Sequence, residues 1–470
     1  MSRFCLGLLI LVLAAVPDVG ITQESARIYV RRIEFQGTEG IADEVLRRAL
    51  VLAEGTFLDT VALEQSRLQL EQLPYVAEAQ VFLRPIDGAI NQVDVIMVIT
   101  QAPARTYGGG AGYSESQRVS VHGFFTNENI FGKGNRFSAT ASIGDFRKEA
   151  EFSHTNPFIG SERVSRTLSL ASRQVERLSA DATALDSALN SARVDYAYRT
   201  GENQTIALGL AINDVRLAAD PVVSDQWLDW MTSNGNPGTQ GTAFSNEFWT
   251  AEFLLRWHQD TRNRQIFPDR GFEQSLAFRS AIPGSEVEYF LLDYESTKHW
   301  PLAGRWEARL DSRLGYGAGY GSATSSLPPY LNWFAGGSDS VRGYRGGQLG
   351  PQDSLGNPYG GNLFVASQFE LVLPLPEKTR ERLRVGIFYD VGNVFATEDV
   401  IFRDGTGESL DYGFEFSRLR RSAGLSARIL IPIGMIRLSY GVPLNADDEH
   451  PNPFLRDDTE RFQVAIGVDF

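Results

Sequence analysis

The chain has 470 residues, a formal net charge of −14, 45 glycines, 29 phenylalanines and one cysteine. That length holds two or three ordinary domains, or one small domain and one large barrel. The acidic balance excludes nucleic acid as the main partner, because neutralising phosphates takes clustered Lys and Arg. The lone Cys5 excludes a disulfide framework and thiolate metal sites.

The N-terminus MSRFCLGLLILVLAAV combines a basic start at Arg3 with an apolar run from Phe4 to Val16. It reads as a secretory signal peptide over residues 1–22, cleaved near Gly20, rather than a buried helix, because it has no polar face. No later stretch reaches the roughly 18 consecutive apolar residues of a membrane helix. An exported chain of this kind is either soluble in the periplasm or a β-barrel.

Residues 26–102 read as one small α+β domain in the order β-α-α-β-β. A strand, RIYVRRIEFQ, ends at Gly37, and a helix follows over 41–54, with Val45, Leu46, Ala49 and Leu50 on one face and Gly55 past its end. A second helix over 59–73 has Asp59 as N-cap, Leu63 and Leu70 on one face, and Pro74 just beyond. Two strands, AEAQVFLRP and QVDVIMVIT, are joined by a turn at Asp87-Gly88, and Val93, Val95, Met97 and Ile99 alternate in the second.

From residue 103 to 470 helical periodicity disappears. Segments of about ten residues alternate weakly between apolar and polar and are punctuated by Gly, Asn, Asp and Pro, as in a transmembrane β-barrel. Strands are expected at 106–114, 118–126, 135–144, 147–156, 163–175, 192–200, 203–213, 249–259, 272–281, 286–297, 304–318, 361–373, 383–391, 421–430, 434–442 and 461–470. The count is about 16, even as single-chain bacterial barrels require. In RFQVAIGVDF, Phe462, Val464, Ile466, Val468 and Phe470 share one face, and Arg461, Gln463, Ala465, Gly467 and Asp469 the other. A charge facing lipid at mid-bilayer costs ~2–4 kcal/mol, so the apolar face looks outward. The edge strand of a soluble sandwich alternates in the same way; the signal peptide and the terminal aromatic favour the barrel.

Two segments stand out. A long loop over about 319–359 carries Val341-Arg342-Gly343-Tyr344 amid Gly, Ser and Asp, and structureless loops beyond about 12–15 residues are usually functional or disordered. The strand near 106–114 contains Tyr107, Gly108, Gly109, Gly110 and Gly112, and glycine inside a strand weakens packing and pairing. Two readings of these glycines stand from the residues alone: tight curvature at a barrel corner, or a weakened seam.

The motifs resemble a known family. The small domain resembles a POTRA domain, and the rest resembles the barrel of the BamA-type outer-membrane assembly factors. DTRNRQIFPDRG at 260–271, VRGY at 341–344, GIFYDVGNVF at 386–395, RSAG at 421–424 and SYGVPL at 439–444 occur in that family's order. The resemblance implies that the loop folds into the lumen and that Arg342 pairs with Asp390 and Glu370, whose strands turn Arg384, Gly386, Phe388 and Asp390, and Gln368 and Glu370, to the polar face. Val341, Gly343, Tyr344, Phe388 and Gly392 complete that lock. A guanidinium fork matches a carboxylate two bonds at a time, which lysine cannot do.

The resemblance further implies a lateral seam between Tyr107, Gly108, Gly109, Gly110 and Gly112 on the first strand and Val464, Ile466, Gly467 and Phe470 on the last. The seam would open to template a client strand. The expectation is an outer-membrane insertase with its POTRA domain in the periplasm of a Gram-negative-type bacterium. Its partners would be unfolded β-barrel clients, outer-membrane lipids, and accessory lipoproteins or a larger assembly complex.

The chain has room for one POTRA domain where housekeeping members carry several, which points to a shortened, specialised member. Ala465 stands where the client signal often has Gly, which bears on how this barrel is itself assembled and not on what it does. The alternative is a two-partner-type exporter, which usually has two POTRA domains and a plug helix. A passive porin would need neither POTRA nor VRGY. A barrel hydrolase is disfavoured because His122, His154, His258, His299 and His450 are scattered with no nucleophile motif or HExxH. No cofactor, metal or enzymatic chemistry is expected; the acidic turns NADDEH and RDDTE lack calcium-loop spacing.

Overall fold

The computed structural model describes residues 27–89, 91–114, 118–160, 163–178, 181–219, 222–240, 243–321, 324–404, 406–432 and 434–467. The N-terminal apolar segment with Cys5, and Phe470, lie outside them. The chain divides into two compact units after Ala102.

The first unit is a three-stranded sheet with two helices. Strands β1 (Tyr29–Gln36), β2 (Val76–Pro85) and β3 (Gln92–Gln101) lie in the order β1-β3-β2, with β1 parallel and β2 antiparallel to β3. Helix α2 (Thr60–Glu71) starts where the Asp59 carboxylate accepts from the Val61 N–H at 2.8 Å. Leu70 is buried, as are Val95, Met97 and Ile99 on β3. The first helix is shorter than the expected 41–54: α1 spans only Asp43–Arg48. The Ser66 hydroxyl accepts the Val51 and Leu52 N–H groups at 2.9 Å, giving them a partner other than the next helical turn. On β3 the Asp94 carboxylate, almost fully buried, is ringed by Arg31 at 2.7 Å, Arg84 at 3.0 Å and Arg32 at 3.2 Å. Arg31 above all holds that carboxyl well below the usual range.

The second unit is a closed antiparallel barrel of 16 strands. They are β4 (Arg105–Ser114), β5 (Arg118–Ile130), β6 (Asn135–Gly144), β7 (Arg147–Asn156), β8 (Val164–Val175), β9 (Asp186–Arg199), β10 (Gln204–Ala219) and β11 (Ala243–Asp260). They continue as β12 (Gly271–Ala281), β13 (Tyr289–Pro301), β14 (Glu307–Gly319), β15 (Leu363–Val372), β16 (Leu383–Phe395), β17 (Arg420–Ile431), β18 (Gly434–Pro443) and β19 (Phe462–Gly467). Every expected strand is present, and closure leaves no free edge in the hydrocarbon, the condition for a strand protein to span lipid. Faces alternate as the pattern requires: on β16 Ile387 and Tyr389 are exposed, whereas Arg384, Phe388 and Asp390 are buried.

Long connections gather at the end of the barrel opposite the start of β4. One departs from the expected elements: β10 and β11 run past the expected limits, and a helix α3 (Asp225–Ser233) and a short strand Asn236–Gln240 sit between them. Trp227, Trp230 and Met231 on α3 are buried against Val215, Phe248, Leu327 and Tyr359. Trp227 meets Tyr359 edge-on at 6.3 Å, and Tyr359 meets Phe402 at 5.4 Å. Such pairs add about 0.5–1.5 kcal/mol beyond area burial, so these loops form a packed dome.

Candidate functional site

The loop between β14 and β15 covers residues 320–362 and lies along the inner wall. Gly315 has room for no side chain because Trp333 of the loop lies on it; a Cβ there would come within 2.6 Å of the indole. The indole Nε1 donates to Asp293 at 3.1 Å.

At the centre of the loop is Arg342. Its Nε donates to Asp390 Oδ2 at 2.7 Å and its Nη2 to Oδ1 at 2.6 Å, a two-bond fork; its backbone N–H adds a third bond to Oδ2 at 3.0 Å. The guanidinium lies 3.6 Å above the Phe388 ring, and Nη1 is 3.6 Å from Glu370. Glu370 also accepts from Arg428 at 2.9 Å. Two cations thus face two carboxylates in a site where Asp390 is fully buried. An isolated charge there would be costly, and this pairing offsets the desolvation.

The glycines of the motifs are explained by close approach. A Cβ on Gly392 would lie 2.5 Å from the Val365 carbonyl and 3.1 Å from Val341, so Gly392 makes room for the buried Val341. Gly343 has φ +92° and faces Gly441, where a Cβ would come within 2.8 Å of the Gly343 nitrogen. Tyr344 is fully buried, its hydroxyl 3.3 Å from the Arg421 carbonyl. The structure therefore brings Val341, Arg342, Gly343, Tyr344, Glu370, Phe388, Asp390 and Gly392 together.

At the seam β19 pairs with β18 on one side over six register positions, Met435↔Gly467 to Tyr440↔Phe462. On the other side, among the described residues, it meets β4 at Ile466↔Tyr113. The neighbouring pair β4–β5 is registered from Arg105 to Ser114. A Cβ on Gly112 would lie 3.1 Å from the Ile466 carbonyl. Gly108 and Gly109 approach β5 instead: a Cβ would meet the Phe124 ring at 2.8 Å or the His122 carbonyl at 2.7 Å. Some of the glycines thus serve packing against β5, while Gly112 borders the last strand. Gly110 sits opposite His122 of β5, and Tyr107, opposite Phe125, is largely exposed. Val464 and Ile466 are half-buried, beside a fully buried Gln463.

A second lock escaped sequence reading. In the turn 261–270, Phe267 is buried, its carbonyl accepts from Arg384 at 3.0 Å, and the Arg384 guanidinium sits 5.3 Å from its ring. Glu307 collects Arg384 at 3.0 Å, Arg380 at 3.1 Å and His299 Nδ1 at 2.9 Å. The only sequence signal was the Phe-Pro of the 260–271 motif and the inward position of Arg384. Gly271, at φ +93°, closes that turn where a Cβ would strike the Thr261 carbonyl at 2.3 Å.

Comparison with known proteins fits this geometry. Residues 129–470 match the Omp85 superfamily domain. The chain belongs to the Omp85 superfamily. Residues 28–102 match the POTRA family, described as a surface antigen variable number repeat. This Omp85 chain is 27% identical over 462 residues to the "Outer membrane protein assembly factor BamA" of Neisseria meningitidis serogroup B, covering 94% of itself and 57% of that relative. It thus spans little more than half the relative's length. Its fold is similar to that of BamA from Haemophilus ducreyi lacking POTRA domains 1–3, with a TM-score of 0.82 at 24% identity over 94% of this chain and 85% of that one. CdiB from Acinetobacter baumannii is more distant, with a TM-score of 0.53 at 13% identity over 94% and 74%. The barrel resides in the outer membrane.

Proposed function

We propose that this protein assists the folding and insertion of β-barrel proteins into the outer membrane through the seam between β4 and β19. The observation that carries the proposal is the seam itself: among the described residues the last strand meets the first at Ile466↔Tyr113, on an edge that includes Gly112. In hydrocarbon each unpaired backbone group costs several kcal/mol, so an opened edge recruits a strand that supplies the missing bonds. A client strand adding to that edge gains main-chain pairing whatever its side chains, which suits a catalyst of many sequences.

The work is positional. No nucleotide, cofactor or covalent step enters the proposal, and the protein is not an enzyme in the group-transfer sense. The partners are unfolded outer-membrane β-barrel chains and the lipids beside the seam, with accessory lipoproteins or a larger assembly complex recruited through the POTRA domain. In a polypeptide exporter the client would pass through the lumen, whereas here the 320–362 loop lies on the inner wall, held there by Arg342.

The test pairs Tyr113→Cys with Ile466→Cys in a Cys5→Ser background. The protein is reconstituted in liposomes, and folding of a urea-denatured outer-membrane client is followed with the disulfide formed and reduced. Faster folding than in empty liposomes, seen only after reduction, supports the seam. Equal rates in both states, or none above empty liposomes, overturn it.

A further inference from the structure

We infer that Gln463 is a positioning residue that straps the VRGY loop to the last strand, so that docking of the loop and closure of the seam are one coupled equilibrium. The inference rests on the seam reading above and adds the residue that controls it.

Gln463 faces the lumen from β19 and is 1% exposed. Its Oε1 accepts from the Gly343 N–H at 3.3 Å, and its Nε2 donates to the Tyr344 carbonyl at 2.6 Å. The side-chain amide thus acts as a short piece of strand backbone, donor and acceptor both used on the loop. Just before it, Gly343–Tyr344 pair with Thr459–Glu460 as a two-residue antiparallel ladder. The Arg345 N–H donates to the Asp458 carbonyl at 2.9 Å, and its guanidinium reaches Asp458 at 2.9 Å and Asp181 at 3.2 Å. The loop therefore grips two things at once: Asp390 on β16 through Arg342, and the approach to and start of β19 through Gln463 and residues 458–460.

Among the described residues the last strand pairs with β18 on one side and meets β4 at Ile466↔Tyr113 on the other. The loop is the third support, applied from inside at Gln463, three residues before Ile466. Releasing Arg342 from Asp390 frees Gly343 and Tyr344, which removes both partners of Gln463. Detaching Gln463 in turn leaves a loop that holds β16 but no longer β19. Leucine fits the volume and offers neither bond; glutamate keeps the acceptor for Gly343 but sets an oxygen against the Tyr344 carbonyl.

The experiment uses the full chain in liposomes, in the Cys5→Ser background, and reads the rate of disulfide trapping at the seam pair Tyr113→Cys/Ile466→Cys. A second pair, Tyr113→Cys/Val119→Cys across β4–β5, reports any general loosening. Gln463→Leu is expected to slow seam trapping about tenfold, the effect of two lost hydrogen bonds, with β4–β5 trapping unchanged. Arg342→Ala is expected to slow it likewise, and the double variant to be no slower than the worse single, because both cut the same strap. Gln463→Glu should be no milder than leucine, because it buries a carboxylate against the Tyr344 carbonyl.

Seam trapping within twofold of wild type in a folded Gln463→Leu protein, an equal fall at β4–β5, or multiplicative effects in the double variant would each overturn the coupling. The insertion assay is run on the same samples. Trapping that responds to Gln463 while insertion ignores the seam disulfide leaves the strap standing and refutes the insertase reading. Insertion that needs an open seam while trapping ignores Gln463 refutes the strap alone.

Discussion

Replacing Asp390 by asparagine isolates the charge pair at the heart of the lumen lock. The substitution keeps shape and leaves an acceptor for the Arg342 N–H, but it leaves the guanidinium buried with only the more distant Glu370, at 3.6 Å, as counter-charge. Glu370 is already shared with Arg428. Breaking a buried pair by removing one partner costs about 3–5 kcal/mol. At about 1.4 kcal/mol per factor of ten, docking of the loop weakens roughly 100- to 4000-fold. The amides of Arg342, Gly343 and Arg345 are bonded to groups outside the loop, Asp390, Gln463 and Asp458, and lose those partners when it undocks. Hydrogen exchange of a peptide spanning 336–347 therefore measures docking directly. In Asp390→Asn its protection should fall by that factor, while peptides from β7 and β8 hold. Arg342→Lys keeps the charge but loses the fork and the flat stacking on Phe388, and should fall by about tenfold. Exchange within threefold of wild type in Asp390→Asn would refute the argument that this pair holds the loop.

Gly343→Ala and Gly441→Ala should each loosen the same peptide, the first through strain of about 1–3 kcal/mol at φ +92°, the second by pressing a Cβ onto the loop backbone 2.8 Å away; both are read by the same exchange. Glu307→Gln leaves Arg384, buried with Arg380 and His299 around it, without its carboxylate. The barrel should lose about 3 kcal/mol, seen as a lower urea midpoint by band shift on cold gels. In the POTRA domain the Asp94 pKa is depressed by its arginines, so its contribution is present above the unfolded value of about 3.9 and is lost as pH falls through the folded pKa. Asp94→Asn should lower the urea midpoint of that domain at pH 5 and narrow the gap to wild type as pH approaches 2, followed by pepsin pulse proteolysis; a gap that widens on acidification would contradict the sign.

The barrel was legible because lipid imposes period 2 on every strand, and its ends were legible to within a few residues wherever a short turn follows. β10 and β11 were underestimated because beyond the bilayer the outward face no longer has to be apolar: Asp214, Arg216 and Glu247 continue the strands without the pattern. Helix α3 was missed because Asp225, Asp229 and Thr232 mask a buried face that Trp227, Trp230 and Met231 build only with aromatics from other loops. In the lock, the motif pointed to Arg342, and the inward faces of β15 and β16 to Glu370 and Asp390. Gln463 was on the correct face, yet nothing in RFQVAIGVDF says that its amide meets a loop 120 residues away. Pairings between distant segments leave no local period to read.

The lock and the seam together explain why a barrel would hold an arginine loop in its lumen rather than a plug of leucines. Apolar burial is non-directional and proportional to area, so an apolar plug would favour many seatings of similar energy. A forked ion pair has one geometry and is lost almost completely when broken, which makes the loop two-state. A two-state element can bias the seam only if it touches it, and here the same four-residue motif contacts Asp390 on β16, Gly441 on β18 and Gln463 on β19. The loop thus ties the last strand from inside to β16, three strands away in the wall. An edge that opens in lipid while the other strands hold would need such a contact behind it, strong, single in geometry and breakable.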